Sequence, residues 1–214
     1  MAEQWERLGE DLARNLVPAG QTSGRRAAGE IRAALRKLDR LRRRQAGQEE
    51  QTQAAEWLLD NWYVAQREGL EGMRALRSAR RLRFVQQAGG RELYVLELCR
   101  ALAGTAEPLD AAVIAAFLAG VQSVRPLTEG ELAHFFPALR GALVLQLLKT
   151  AECLDRGEKV PAEVMEQIFA SLRALSAPGL WKLLEQASIV DQVLRRDPAG
   201  AYPGMEDATR AQYR

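Results

Sequence analysis

One histidine and two cysteines occur in 214 residues, and this shortage removes several kinds of chemistry at once. Ser-His-Asp and Cys-His arrangements need a histidine as base. His134 would have to serve, and it stands beside Phe135, Phe136 and Pro137 with neither cysteine near it in sequence. A packed or surface histidine is the commoner outcome for such a lone residue. Structural zinc sites use closely spaced Cys and His pairs, and Cys99, His134 and Cys153 have no such spacing. Both cysteines fall in helical patterns and read as reduced, buried, small apolar residues of a cytosolic chain. The longest uncharged apolar run, from Ala111 to Val121, is well short of the roughly 18 residues that a spanning helix needs. Met1-Ala-Glu-Gln-Trp-Glu6 has no apolar signal-peptide core, so a cytoplasmic location is expected. Neither Gly-x-Gly-x-x-Gly nor Gly-x-x-x-x-Gly-Lys-Ser/Thr occurs, which leaves no phosphate cradle to place. β-Branched residues are sparse and never alternate with polar ones for long, so no strand is predicted.

What remains is helix. Charged residues make up 27% and hydrophobic ones 47%, ordinary for a globular chain of one or two domains. Leu, Ala, Arg, Glu and Gln dominate, and apolar residues recur at three and four. Trp5, Leu8, Leu12 and Leu16 mark a first weak helix, closed by a loop with Pro18, Gly20 and Gly24. From Arg25 to Arg44, Ile31, Leu35, Leu38 and Leu41 form one stripe, and nine Arg or Lys face only Glu30 and Asp39. A Gly/Gln/Glu-rich join follows, so residues 1–50 read as a basic, mobile arm and 51–214 as the helical domain. A helix from near Thr52 to Glu68 carries the most aromatic stretch, and Met73 to Val85 reads as a further basic helix ended by Gly89-Gly90. Helices are also predicted over Arg91–Ala103, from Pro108 to Gln122, over Pro161–Ser176 and from Pro178 to Arg195, with the second of these central and the last read as one helix or two short ones. Thr128-Glu-Gly-Glu131 is a capping box opening a helix to Leu154 that kinks at or before Pro137. The fold class is therefore all-α, a multi-helix bundle or an array of antiparallel helix pairs. Trp57, Leu58, Trp62, Val113, Ile114, Phe117, Leu118, Leu143, Leu147 and Ile168 are the expected core.

Chemistry is thin. Glu56 and Asp60 stand one helical turn apart, and two acids flanking a bond are what glycoside hydrolysis uses. Acids are common on helix surfaces, so a solvated pair is the plainer reading. The basic stretches 25–44 and 73–91 suit a solvated face or an acidic partner, because 30 basic against 28 acidic residues is too balanced for a dedicated nucleic-acid domain. No catalytic, cofactor-binding or metal-ligating residue is assigned. Residues 208–214 begin a helical pattern that stops within two turns, which suggests a truncated chain or a segment of a longer one. Tyr202, Met205 and Tyr213 are then expected to need a surface from elsewhere, since an isolated short helix is marginal in water.

Three ordered stretches point further. They are Glu56-Trp-Leu-Leu-Asp-Asn-Trp-Tyr63; Val121-Gln-Ser-Val-Arg-Pro-Leu-Thr-Glu-Gly-Glu-Leu132 with Pro137-Ala-Leu-Arg140; and Val190-Asp-Gln-Val-Leu-Arg-Arg-Asp-Pro-Ala-Gly-Ala-Tyr202 with Met205, Ala208-Thr-Arg210 and Tyr213-Arg214. Together they resemble the N-terminal region of cyclic β-1,2-glucan synthases and related large bacterial carbohydrate-active proteins. The resemblance covers residues 52–214, and the third stretch is the most specific. The chain departs from the family by being compacted around Leu154–Glu163 and by an Arg-rich, proline-free segment over Met73–Arg91. The resemblance implies a non-catalytic accessory or scaffold segment acting with glycosyltransferase and phosphorylase-like domains. Its partner would be the rest of such a synthase, or a separate protein, at the cytoplasmic face of the inner membrane. The competing readings are a small carbohydrate-active enzyme using Glu56 and Asp60, and a free interaction module that binds an anionic partner.

Overall fold

A computed structural model describes residues 2–105, 107–196, 202–205 and 209. Among them, eleven helices and three short strands follow in the order α1 (Ala2–Asn15), β1 (Gly20–Thr22), α2 (Arg25–Ala46), α3 (Gln53–Asp60), α4 (Trp62–Ser78), β2 (Leu82–Gln87), β3 (Gly90–Leu93), α5 (Tyr94–Ala103), α6 (Ala111–Val124), α7 (Glu129–Ala133), α8 (Phe135–Asp155), α9 (Ala162–Ala174), α10 (Lys182–Ala187) and α11 (Ile189–Leu194). A short 3₁₀ turn covers Tyr202–Gly204. The protein is mostly helical, as the periodicity predicts, but it is not all-α.

The strands correct the sequence reading. The helix expected through Val85 stops at Ser78, Ala79 is extended, and Arg81 takes a φ of 56°. A left-handed residue cannot continue a right-handed helix. Beyond it, Leu82 and Phe84 are buried with Arg83 between them, and Gly20 pairs with Phe84 while Thr22 pairs with Leu82. Gly89-Gly90, read as a helix stop, belongs to a hairpin turn: Gln87 pairs with Gly90, whose φ of 113° suits glycine. The three strands form one antiparallel sheet in the order β1-β2-β3.

α8 is the central helix, a place the sequence reading gave to α6. Twelve of its residues are buried, and it packs against α2, α4, α5 and α9. Pro137 lies in its first turn, where a missing N–H costs little. The expected kink is a break instead: α7 ends and His134 links it to α8. Leu58, Ile114, Phe117, Leu118, Leu143, Leu147 and Ile168 are buried as predicted, while Trp57, Trp62 and Val113 pack against the same core from half-buried positions.

The basic helix is a packed part of the fold, not an arm standing off it. Ile31, Leu35, Leu38 and Leu41 are buried, and α2 lies against α4 and α8. Glycines let these helices close up. A Cβ on Gly69 would sit 2.9 Å from Leu35, and one on Gly141 would collide with Ile31. α1 meets α6 the same way: a Cβ on Gly9 would strike the Phe117 carbonyl, and one on Gly120 the Glu6 carbonyl.

The C-terminal part is built from α10 and α11, hinged at Ser188. The Ser188 hydroxyl caps α11 by accepting from the Asp191 amide at 3.0 Å. Tyr202 is buried, and its hydroxyl donates to Asp191 at 2.8 Å. Of the tail residues expected to need an external surface, Tyr202 is therefore covered by its own chain. Tyr213 and most of the final stretch lie outside the described residues.

Candidate functional site

The structure places the two sequence-selected carboxylates at the corner between α3 and α4. Thr52 caps α3, its hydroxyl accepting from the Ala55 amide at 3.2 Å. Glu56 and Asp60 then project from the outer side of that helix, both exposed. Asn61 breaks the chain between the helices. Its amide group donates to the Trp57 carbonyl at 2.9 Å, and its side-chain oxygen accepts from Arg173 of α9. Gln53, Glu56, Trp57, Asp60, Asn61 and Arg173 line an open depression of about 370 Å³. An indole beside amide, guanidinium and carboxylate groups can meet a polar ligand. Apolar walls around a carboxyl favour a general-acid role; Glu56 and Asp60 are instead exposed.

The remaining candidates are His134 and the two cysteines. His134 links α7 to α8, with Nδ1 at 2.7 Å from the Gly130 carbonyl of α7. Cys99 is buried with its Sγ 3.6 Å from the Phe135 carbonyl oxygen, and burial pushes the thiol well above its ordinary range. The Cys153 thiol is also raised, by the adjacent Glu158 carboxylate first and by desolvation second. Nucleophilic chemistry needs the thiolate, which both settings disfavour. No group of three or more His, Cys, Asp or Glu able to hold a metal ion occurs among the described residues.

Three buried carboxylates each gather several polar bonds. Glu131 completes the capping box with Thr128 and also grips Arg83 of β2, whose Nε lies 2.8 and 2.9 Å from its two oxygens. Arg83 stands 5.1 Å from the Tyr94 ring, and burial drives the Tyr94 phenol up to about 12. Glu68 of α4 accepts from Arg67 at 2.8 Å, Arg140 at 2.7 Å and Ser176 at 2.8 Å, tying α4 to α8 and to the end of α9. Burial alone would raise its carboxyl, but the bonds from Ser176, Arg140 and Arg67 outweigh that and hold it below the usual range. Asp191 gathers Arg195, Tyr202 and its own helix cap. The capping box made Glu131 visible in the sequence. Glu68 and Arg140 stand 72 positions apart and look like surface charges until the helices meet.

A second feature is apolar and faces outward. Trp181, Ile189, Val190 and Val193 around α10 and α11 remain 43%, 41%, 38% and 60% exposed. Beside them a groove of about 450 Å³ runs between α6 and α10–α11, with Ala115, Leu118, Ala119, Leu183 and Ile189 on its walls. Gln122 bridges its floor, donating to the Ala187 carbonyl and accepting from the Leu127 amide at 2.6 Å. Clustered apolar surface of this kind marks interaction sites in folded proteins. No helix among the described residues is long and apolar enough to cross a membrane. The chain matches no family model and no curated protein.

Proposed function

We propose that this chain is a non-catalytic helical accessory module of a cyclic β-1,2-glucan synthase-like protein, a bundle of antiparallel helix pairs that works by packing against other protein in the cytoplasm. The observation that carries the reading is the coincidence of the outward apolar face with the stretch of most specific resemblance. Within Val190–Tyr202, Asp191 and Tyr202 are buried and bonded to one another, whereas Val190 and Val193 are presented to solvent. Exposed valines on an anchored helix suit a docking surface, because a preorganised surface loses little freedom on binding.

The exposed setting of Glu56 and Asp60 supports the non-catalytic half of the proposal. Purified 1–214 should neither hydrolyse nor phosphorolyse β-1,2-glucan, and should not transfer glucose from a nucleotide-sugar. Turnover that disappears with Glu56→Gln or Asp60→Asn would replace this reading with a carbohydrate-active enzyme centred on the α3–α4 corner.

A further inference from the structure

Five glycines lie inside the long helices at points where another segment presses on them. A Cβ on Gly9, Gly69, Gly72, Gly120 or Gly141 would fall within 2.9 Å of a neighbouring heavy atom, as on Gly72, which would come 2.6 Å from the Pro137 carbonyl. Gly29 breaks the pattern. It is exposed in the first half of α2, and a Cβ there would meet nothing within 4 Å. A glycine inside a helix is less favourable than alanine, and no contact among the described residues requires this one.

The charges around it are equally unspent. Arg26 pairs with Glu92, Lys37 with Glu152, Arg42 and Arg43 with Asp39, and Arg44 with Asp155. Arg25, Arg32, Arg36 and Arg40 are exposed and have no ion-pair partner among the described residues. At helical spacing they fall on one face with Gly29, which is followed one turn later by the small, exposed Ala33. The inner stripe, Ile31, Leu35, Leu38 and Leu41, locks the helix into the core, so the outer row is held on a rigid support.

We propose that the outer face of α2 docks an acidic helix of a partner protein, with Gly29 at the crossing point and Arg25, Arg32 and Arg36 meeting its carboxylates. A glycine at a crossing lets two helix backbones approach closely, as Gly9 and Gly120 do inside this protein. Guanidinium groups pair with carboxylates through two parallel hydrogen bonds. An anionic bilayer would favour large apolar side chains to insert beside the charges, and none of the exposed large apolar residues belongs to α2. A nucleic-acid backbone would use the arginines alone and would leave Gly29 without a purpose. The inference does not depend on the glucan-synthase reading, since it concerns a different surface from α10–α11.

The test uses the full chain and a labelled alanine-rich helical peptide carrying glutamates at alternating spacings of three and four, with a glutamine version as control. Fluorescence anisotropy should show the glutamate peptide binding at least about tenfold more tightly than the glutamine one. Gly29→Leu, and separately Arg32→Glu with Arg36→Glu, should each weaken binding by about tenfold or more while leaving the circular dichroism spectrum unchanged. Gly29→Ala should raise the melting temperature of the free protein, showing that the glycine is not kept for folding. The proposal is overturned if the glutamate peptide binds no better than the glutamine one, or if Gly29→Leu leaves its affinity unchanged. It is equally overturned if duplex DNA or phosphatidylglycerol vesicles bind more tightly than the peptide. Self-association of the chain that is lost in Gly29→Leu would also overturn it, making a second copy the occupant.

Discussion

α8 and α11 are both rich in apolar residues and end in opposite situations. α8 buries Leu139, Leu143, Val144 and Leu147 on several sides, because α2, α4, α5 and α9 surround it. α11 buries only Asp191 and turns Ile189, Val190 and Val193 outward. In α8 the hydrophobic effect is used up inside the fold. In α11 a buried carboxylate with Arg195, Tyr202 and the Ser188 cap holds the backbone, and the apolar side chains are left exposed. Apolar content alone does not locate a core; the residues that anchor a helix tell whether its apolar face is spent or held in reserve.

Breaking the α8 side of this comparison should have the largest effects. Removing residues 1–50 deletes α1 and α2, and with them buried Trp5, Ile31, Leu38 and Leu41. Cooperative thermal unfolding of 51–214 should be lost, and a sharp transition close to that of the full chain would show that residues 51–214 form a core of their own. A point change comes next. Gly120→Ala would drive a methyl group into the Glu6 carbonyl, a backbone atom that cannot turn aside. Overpacking of this kind costs about 1–3 kcal/mol, to be read from urea unfolding; an unchanged midpoint would mean that α1 and α6 separate without loss.

The effect of acid is smaller and has a defined sign. Glu68 has a lowered pKa in the folded chain, so its bonds stabilise the protein above the ordinary glutamate range near 4.5. That contribution is lost as pH falls below this value and through the folded pKa. Glu68→Gln should therefore be less stable than the natural chain at pH 7, and the gap between the two should narrow in acid. A gap independent of pH would place the Glu68 effect in packing and not in its charge.

The helices were legible because their apolar stripes repeat over many turns, as Ile31, Leu35, Leu38 and Leu41 do. The sheet was not. β1 has only three residues, set in a Pro- and Gly-rich loop, and its partner Phe84 lies more than sixty positions away, at Gly20↔Phe84. The break before β2 is made by Arg81, and no local residue type announces a left-handed turn there. The arm reading of α2 failed because a Gly/Gln/Glu-rich join looks the same whether it tethers a free helix or links two packed ones. At the α3–α4 corner, Glu56 and Asp60 could be picked out by spacing, whereas Arg173 reaches Asn61 only through the fold. The α10–α11 face was not legible, since Ile189 and Val193 stand in an apolar helical pattern and only the fold shows them exposed.

The most direct test of the central claim is binding of 1–214 to the catalytic region of a cyclic β-1,2-glucan synthase from which its own N-terminal region has been removed. Val193→Asp changes a largely exposed side chain, so the free protein should keep its stability to within about 0.5 kcal/mol. Measured by calorimetry, the natural chain should bind the catalytic region and Val193→Asp should not. Equal binding by both proteins, or binding by neither, would contradict the claim that α10–α11 is the surface through which this module joins a synthase.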